Sequence, residues 1–155
     1  MSKTLSRRTF GSVGDYKPGD TFANRIALSL SGLHRPRRAG IGGTAAEGAE
    51  SIVLAGVYED DLDLGDVVFY VGHGGRDPKT GRQTADQTLD RYNLALLRSA
   101  ETGRPVRLIR GAGLRNEFTP AEGYRYEGLY RITDYGRERG KSGYWVWTFK
   151  LIQLR

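Results

Sequence analysis

SIVLAG (51–56) and DVVFYVG (66–72) are two apolar, β-branched runs, and the acidic connection YEDDLDLGD (58–66) joins them. Such runs read as buried strands. Working outward, PVRLIR (105–110) and EGLYRITDY (127–135) read as further strands. In YWVWTFKLIQL, Trp145, Trp147, Phe149 and Leu151 alternate strictly, which predicts a core strand whose tryptophans pack rather than stack on bases. Upstream, Ile26, Leu28 and Leu30 alternate with Ala27 and Ser29, the period of a half-buried strand. One helix is expected, with Leu89, Asn93, Leu96, Leu97 and Ala100 near one face, Thr84 or Asp86 as its cap and Gly103 as its stop. Residues 33–50 and 72–87 read as two long glycine-rich loops, the first of them basic. The fold class is therefore mainly β with flanking α. A closed or nearly closed barrel is the economical way to keep so many strands from edge pairing. No repeat or internal boundary is visible: residues 1–9 form a basic leader and residues 10–155 a single domain.

The chain has 155 residues, 38% of them hydrophobic and 27% charged, which suits a globular domain rather than a disordered tail. Its net charge of +6 favours an anionic partner. No stretch approaches the ~20 apolar residues of a membrane span, and no basic amphipathic helix or apolar signal core is visible. Nucleic acid is therefore the expected partner and the cytoplasm, in association with the nucleoid, the expected location. Cysteine is absent and only His34 and His73 are present, so thiolate zinc sites, disulfides and an HNH-type nuclease centre cannot be built from this chain. No cofactor or metal is expected. The acidic cluster Glu59, Asp60, Asp61 and Asp63 lacks the ligand spacing of an EF-hand.

An ordered set of motifs runs through the chain: FGSVGDYKPGDTF, SGLHRPRRAGI, IVLAGVYEDDLDLGD, FYVGHGGRD, TADQTLDRYNLAL, RPVRLIRG, TPAEGYRYEGLYRITDY and GKSGYWVWTFKL. Taken together, and above all in HRP-x-x-AGI, YEDD-x-D and GGRD, it resembles the SRA (SET- and RING-associated, or YDG) domains over roughly residues 10–152. The resemblance implies a twisted β-barrel of the PUA-like type with flanking helices. It also implies recognition of 5-methylcytosine in duplex DNA by base flipping, without catalysis. Tyr58 and Tyr70 match the two aromatics that sandwich the flipped base, and Asp61 matches the acid that accepts hydrogen bonds from the cytosine Watson–Crick edge.

The residue types suit that task. Extrusion costs a few kcal/mol of stacking and pairing, and each aromatic face returns roughly 1–3 kcal/mol. A carboxylate accepts from the cytosine amino group, whereas thymine presents a carbonyl there. Burying one methyl is worth about 0.8 kcal/mol, only about fourfold in affinity, so strong methyl discrimination needs a fitted wall. This chain departs from the family on that wall: Val57 stands where glycine is common, Val71 where threonine is common, and His73 where a small residue is usual. The wall leaves methyl and hydroxymethyl both open. Arg38 matches the residue that enters through the minor groove to fill the vacated space. Gln83, beside Arg82, stands where vertebrate members carry an arginine that reads the neighbouring CG step, with simply plugging the helix as the alternative. Glutamine leans toward adenine rather than guanine, so relaxed sequence context is expected. Arg35, Arg37, Arg76 and Lys79 are candidate phosphate contacts, with pairing to an acid as the alternative for Arg76.

Two other readings remain open from sequence. The chain is either a reader of modified cytosine in its own right or the recognition domain of a modification-dependent restriction endonuclease, with an HNH nuclease as partner or further domain. A PUA-like binder of RNA or single strands is the third.

Overall fold

In the computed structural model, residues 8–113 and 115–155 are described; the expected leader over 1–9 lies almost wholly outside them. Eight strands form one mixed sheet: β1 (Thr21–Phe22), β2 (Ile41–Thr44), β3 (Gly48–Leu54), β4 (Leu62–Asp63), β5 (Val67–Val71), β6 (Val106–Gly111), β7 (Tyr124–Arg139) and β8 (Trp145–Gln153). The hydrogen-bonded path runs β2-β3-β6-β7-β8-β5-β4, with β1 paired to β7. Among the described residues only β3 and β6 pair in parallel. Two helices, α1 (Arg25–Ser31) and α2 (Arg91–Thr102), accompany the sheet. This is the mainly β class with flanking helices. The ladder connects neighbours along this path and does not join β2 to β4.

The apolar runs behave as their composition dictates. Ile52, Leu54, Val68, Leu108, Phe149 and Leu151 are fully buried in one core under α2, to which Ala95 and Leu96 contribute. Trp147 packs against this core, but Trp145 does not join it, because Val146 takes the buried position at that end of β8.

Three local expectations are corrected. Residues 25–31 form α1, not a strand. The Asn24 side chain caps the Ala27 N–H at 2.9 Å and Gly32 closes the helix with φ 83°. Of the three alternating residues only Leu28 is buried, while Ile26 and Leu30 are 55% and 79% exposed. The basic loop 33–50 contains β2 and the start of β3. Helix α2 begins after Asp90, because Asp86 is occupied in accepting from the Trp145 N–H at 2.9 Å; Gly103 ends it as expected.

Polar groups inside this fold were not legible as such. Arg107, in the apolar-looking PVRLIR run, is fully buried and donates to the carbonyls of Leu33 at 2.8 Å and Gly11 at 2.9 Å, and to that of Thr9. Its counter-charge is Glu50, 2% exposed, at 3.6 Å. Arg110 pairs with Asp63 at 2.7 Å and with Glu127. Asp63 is therefore structural, tied to Arg110 inside the fold.

Candidate nucleic-acid interface

A pocket of about 250 Å³ opens where β3, the 55–61 segment and β5 meet. Tyr58, Asp61, Tyr70, Val57, Val71 and His73, the six residues assigned to a base pocket from sequence, all line it. Tyr70 reaches in from β5, 5% exposed, and its hydroxyl lies 3.2 Å from both the Gly40 and Val53 carbonyls. Tyr58 is fixed from the other side, since its hydroxyl accepts the Gly74 N–H at 2.8 Å. Each ring is therefore held at its far end.

Asp61 is positioned by a turn, with its N–H on the Tyr58 carbonyl at 3.2 Å, and one carboxylate oxygen accepts the Val71 N–H at 2.8 Å. Burial pushes its pKa up to about 7, against the opposing effect of the Val71 N–H and with a smaller push from Asp60. The residue is thus an acid poised to gain or lose a proton near neutrality. Val71 is buried and contributes its backbone to Asp61, while Val57 is 43% exposed at the mouth. His73 lines the pocket and also packs edge-on against Tyr92, with ring centroids 5.3 Å apart.

Two loops flank the pocket. Arg38 is exposed on the first and reaches the pocket lining. That loop is braced by Arg25 of α1, which donates to the carbonyls of Pro36 at 2.9 Å, Ala39 at 2.7 Å and Arg38 at 3.3 Å. His34 underpins it. Burial lowers its pKa to about 4, so the ring is neutral. The Ala39 carbonyl at 2.8 Å can only accept, which puts the proton on Nε2 and leaves Nδ1 to accept from the Ser51 hydroxyl at 2.7 Å.

The second loop, 74–87, is tied down by amides. Gln87 donates to the Gly72 carbonyl at 2.7 Å, and Asn93 of α2 clasps both backbone groups of His73 at 2.7 and 3.0 Å. At Gly75, with φ 70°, an added Cβ would lie 2.5 Å from the Ala85 carbonyl, so only glycine fits that turn. Arg25, Gln87 and Asn93 were not recognised as site residues from sequence. Asn93 on the otherwise apolar face of α2 was the one available signal.

Three of the expected duplex contacts are placed differently. Gln83 is 3% exposed and faces inward, donating to the carbonyls of Gly74 at 2.7 Å and Ala85 at 3.0 Å. A buried amide with both donors satisfied plugs the loop and does not enter a groove; Arg82 beside it is the exposed one. Arg35 pairs with Glu50 at 2.7 Å, a structural tie that competes with phosphate contact. Arg76 pairs with no acid among the described residues. Its guanidinium lies 5.5 Å over the Tyr58 ring, which makes it part of the pocket. Arg37 and Lys79 are exposed as expected. Gln83→Ala is expected to lower stability by about 1–3 kcal/mol, the cost of orphaned buried acceptors. It should leave the preference between CG and non-CG duplexes unchanged, as competition binding in both contexts will report.

Among the described residues no cluster of three or more metal-ligating side chains occurs, and no helix is long and apolar enough to cross a membrane.

Comparison with known proteins places this geometry. Residues 9–155 match the SAD/SRA domain family. The E3 ubiquitin-protein ligase UHRF1 of Rattus norvegicus is 41% identical over 162 residues, covering 92% of this chain and 21% of that protein. Among solved structures, a modification-dependent TagI restriction endonuclease superimposes with a TM-score of 0.90 at 43% identity, over 97% of this chain and 54% of that one. The SUVH5 SRA domain bound to fully hydroxymethylated CG DNA superimposes with a TM-score of 0.80 at 38% identity, over 95% of both chains. The same domain has been solved with fully methylated CG, methylated CHH and hemimethylated CG DNA. The chain spans about a fifth of the length of the UHRF1 it matches.

Proposed function

Since the chain belongs to the SAD/SRA domain family, we propose that it binds duplex DNA and flips out a 5-modified cytosine, holding it between Tyr58 and Tyr70 against Asp61. The observation that carries the reading is the convergence of these three side chains on one pocket, each with its polar end already fixed. Preorganisation of this kind lowers the ordering cost that binding would otherwise pay. In the same reading the sheet curls toward a twisted barrel; the Tyr70 hydroxyl of β5 meeting the Val53 carbonyl of β3 across the interior supports this. Arg38 and Arg82 enter from the two grooves, and Arg37 and Lys79 hold phosphates.

With Gln83 turned inward, tolerance of sequence context no longer rests on that residue. It rests on the likeness to a domain solved with both CG and CHH duplexes. Likewise, acceptance of hydroxymethylcytosine is supported by the SUVH5 complex and by His73 at the pocket lining. The reading assigns recognition, not catalysis, to these residues. The likeness to the TagI enzyme favours a second role, as the recognition part of a modification-dependent nuclease. Incubating the chain with methylated plasmid and Mg²⁺ or Mn²⁺ tests the non-catalytic assignment, which cleavage would overturn.

The central test is competition binding with matched duplexes carrying cytosine, 5-methylcytosine or 5-hydroxymethylcytosine. Modified duplexes should win, and equal binding to all three would sink the proposal in favour of a non-flipping nucleic-acid binder. Tyr58→Ala should weaken modified duplexes by roughly 5- to 150-fold, the worth of one stacking face. Unmodified duplex should be weakened far less.

A further inference from the structure

The outer half of β7 carries a cationic pair that the base pocket does not use. Arg137 and Arg139 are exposed, two residues apart on one strand, and therefore on one face. Opposite Arg139 in the ladder stands Trp145, and both guanidiniums lie 4.9 Å from its ring. Arg139 also donates to the Gly143 carbonyl at 2.9 Å. Glu138 between them points to the other face, where it accepts from the Thr148 hydroxyl at 3.0 Å. Among the described residues neither arginine has a carboxylate within ion-pair distance. Two like charges preorganised on one indole, without a counter-ion, form a receptor for an anion.

The β7–β8 turn links this pair to the second loop of the interface. Ser142 donates to Glu59 at 2.6 Å, the same carboxylate that accepts the Gln83 N–H at 2.9 Å, and the Lys141 N–H donates to Asp60 at 2.8 Å. The bonds from Ser142 and then the Gln83 N–H hold the Glu59 carboxyl below its ordinary range, and the charges of Arg82 and Lys141 depress it further. The charges of Arg82, on loop 74–87, and of Lys141, on the β7–β8 turn, thus both act on Glu59, and that turn leads in sequence to Arg139 and Arg137.

We propose that Arg137 and Arg139, seated on Trp145 and reached through Lys141, form a second phosphate-binding station. It grips the backbone of the duplex flank that lies beyond Arg82, away from the flipped base. This rests on the duplex-binding reading above. Backbone contacts position the protein without reading sequence, so the station adds affinity and leaves modification preference alone.

The test compares the salt dependence of binding for the wild type, Arg137→Gln/Arg139→Gln and Arg137→Lys/Arg139→Lys. It uses a long duplex with a central 5-methylcytosine and a short one that ends just past the modified base. On the long duplex the glutamine variant should lose about 1.8 from the slope of log K against log salt, at about 0.9 per phosphate contact. Its affinity should fall about tenfold at physiological salt, with the ratio of modified to unmodified binding unchanged. The lysine variant should keep most of the slope, and the short duplex should show no difference among the three proteins. An unchanged slope on the long duplex overturns the station. An equal loss on both duplexes overturns its placement on the flank. Both arginines are exposed, so an unchanged urea midpoint will show that the variants fold. Failure of the wild type to prefer modified duplex would instead strike the base-flipping reading, whatever the slopes.

Discussion

Asp61→Ala is expected to weaken binding of modified duplex by on the order of 100-fold, through the lost hydrogen bonds and the cytosine edge left buried and unpaired. Weak salt-sensitive binding should remain. The more revealing variant is Asp61→Asn. The cytosine edge presents an amino donor beside the N3 acceptor. A carboxylate answers the first and faces the second with another acceptor; a neutral acid answers both. With its pKa raised to about 7, chiefly by burial, Asp61 in the free protein gains and loses that proton near neutrality. The complex that keeps the proton should bind best below pH 7 and lose up to tenfold per pH unit above it. An asparagine offers acceptor and donor at every pH, so Asp61→Asn should flatten this profile. Titrating affinity from pH 5.5 to about 8.5 checks this, and a flat wild-type profile would refute it.

The same shift has a cost in stability with a defined sign. The folded pKa lies above the ordinary carboxylate value of 3.8, so folding disfavours the charged form. The wild type is unpenalised below about pH 4 and loses stability as pH rises toward 7, by up to a few kcal/mol at 1.36 kcal/mol per unit. Asp61→Asn should therefore be the more stable protein at pH 8 in urea unfolding, with the gap closing toward pH 4.

How far the sequence revealed this site depends on what each residue does. Tyr58, Asp61 and Tyr70 sit in one short stretch next to strands whose apolar character is unmistakable, and the structure brings all three to one pocket. Alternation failed at residues 25–31 because seven residues with one buried position, Leu28, satisfy either period; the Asn24 cap and the Gly32 stop were the discriminating signals. Gln83 failed for a different reason. Its position matched a groove-reading residue, but nothing in linear sequence shows that its amide turns inward onto the Gly74 and Ala85 carbonyls. Arg25, Gln87 and Asn93 act on backbone groups, and such bonds leave little trace in residue patterns.

The second large effect is structural. Glu50→Ala should cost about 3–5 kcal/mol, a large fraction of the ~5–15 kcal/mol that holds a domain of this kind together. Glu50 is 2% exposed and faces the fully buried Arg107 at 3.6 Å, Arg35 at 2.7 Å and the Thr9 N–H at 3.2 Å. Removing the carboxylate leaves a buried guanidinium without counter-charge, and burial already pulls the Arg107 pKa down. Glu50→Gln keeps the hydrogen-bond acceptor and removes the charge, so it should fall between wild type and alanine. Arg107 also serves the Leu33 and Gly11 carbonyls, so pairing Glu50→Leu with Arg107→Met should recover only part of the loss. The consequence reaches the proposed DNA surface, because Arg35, His34 and the Arg38 loop are continuous with this network. Duplex affinity of Glu50→Ala, measured well below its melting temperature, should fall together with protection of the Ala39 and Gly40 amides from hydrogen exchange. A loss of less than about 1 kcal/mol in urea unfolding, below even a typical unsatisfied buried group, would show that the carboxylate is not what neutralises Arg107.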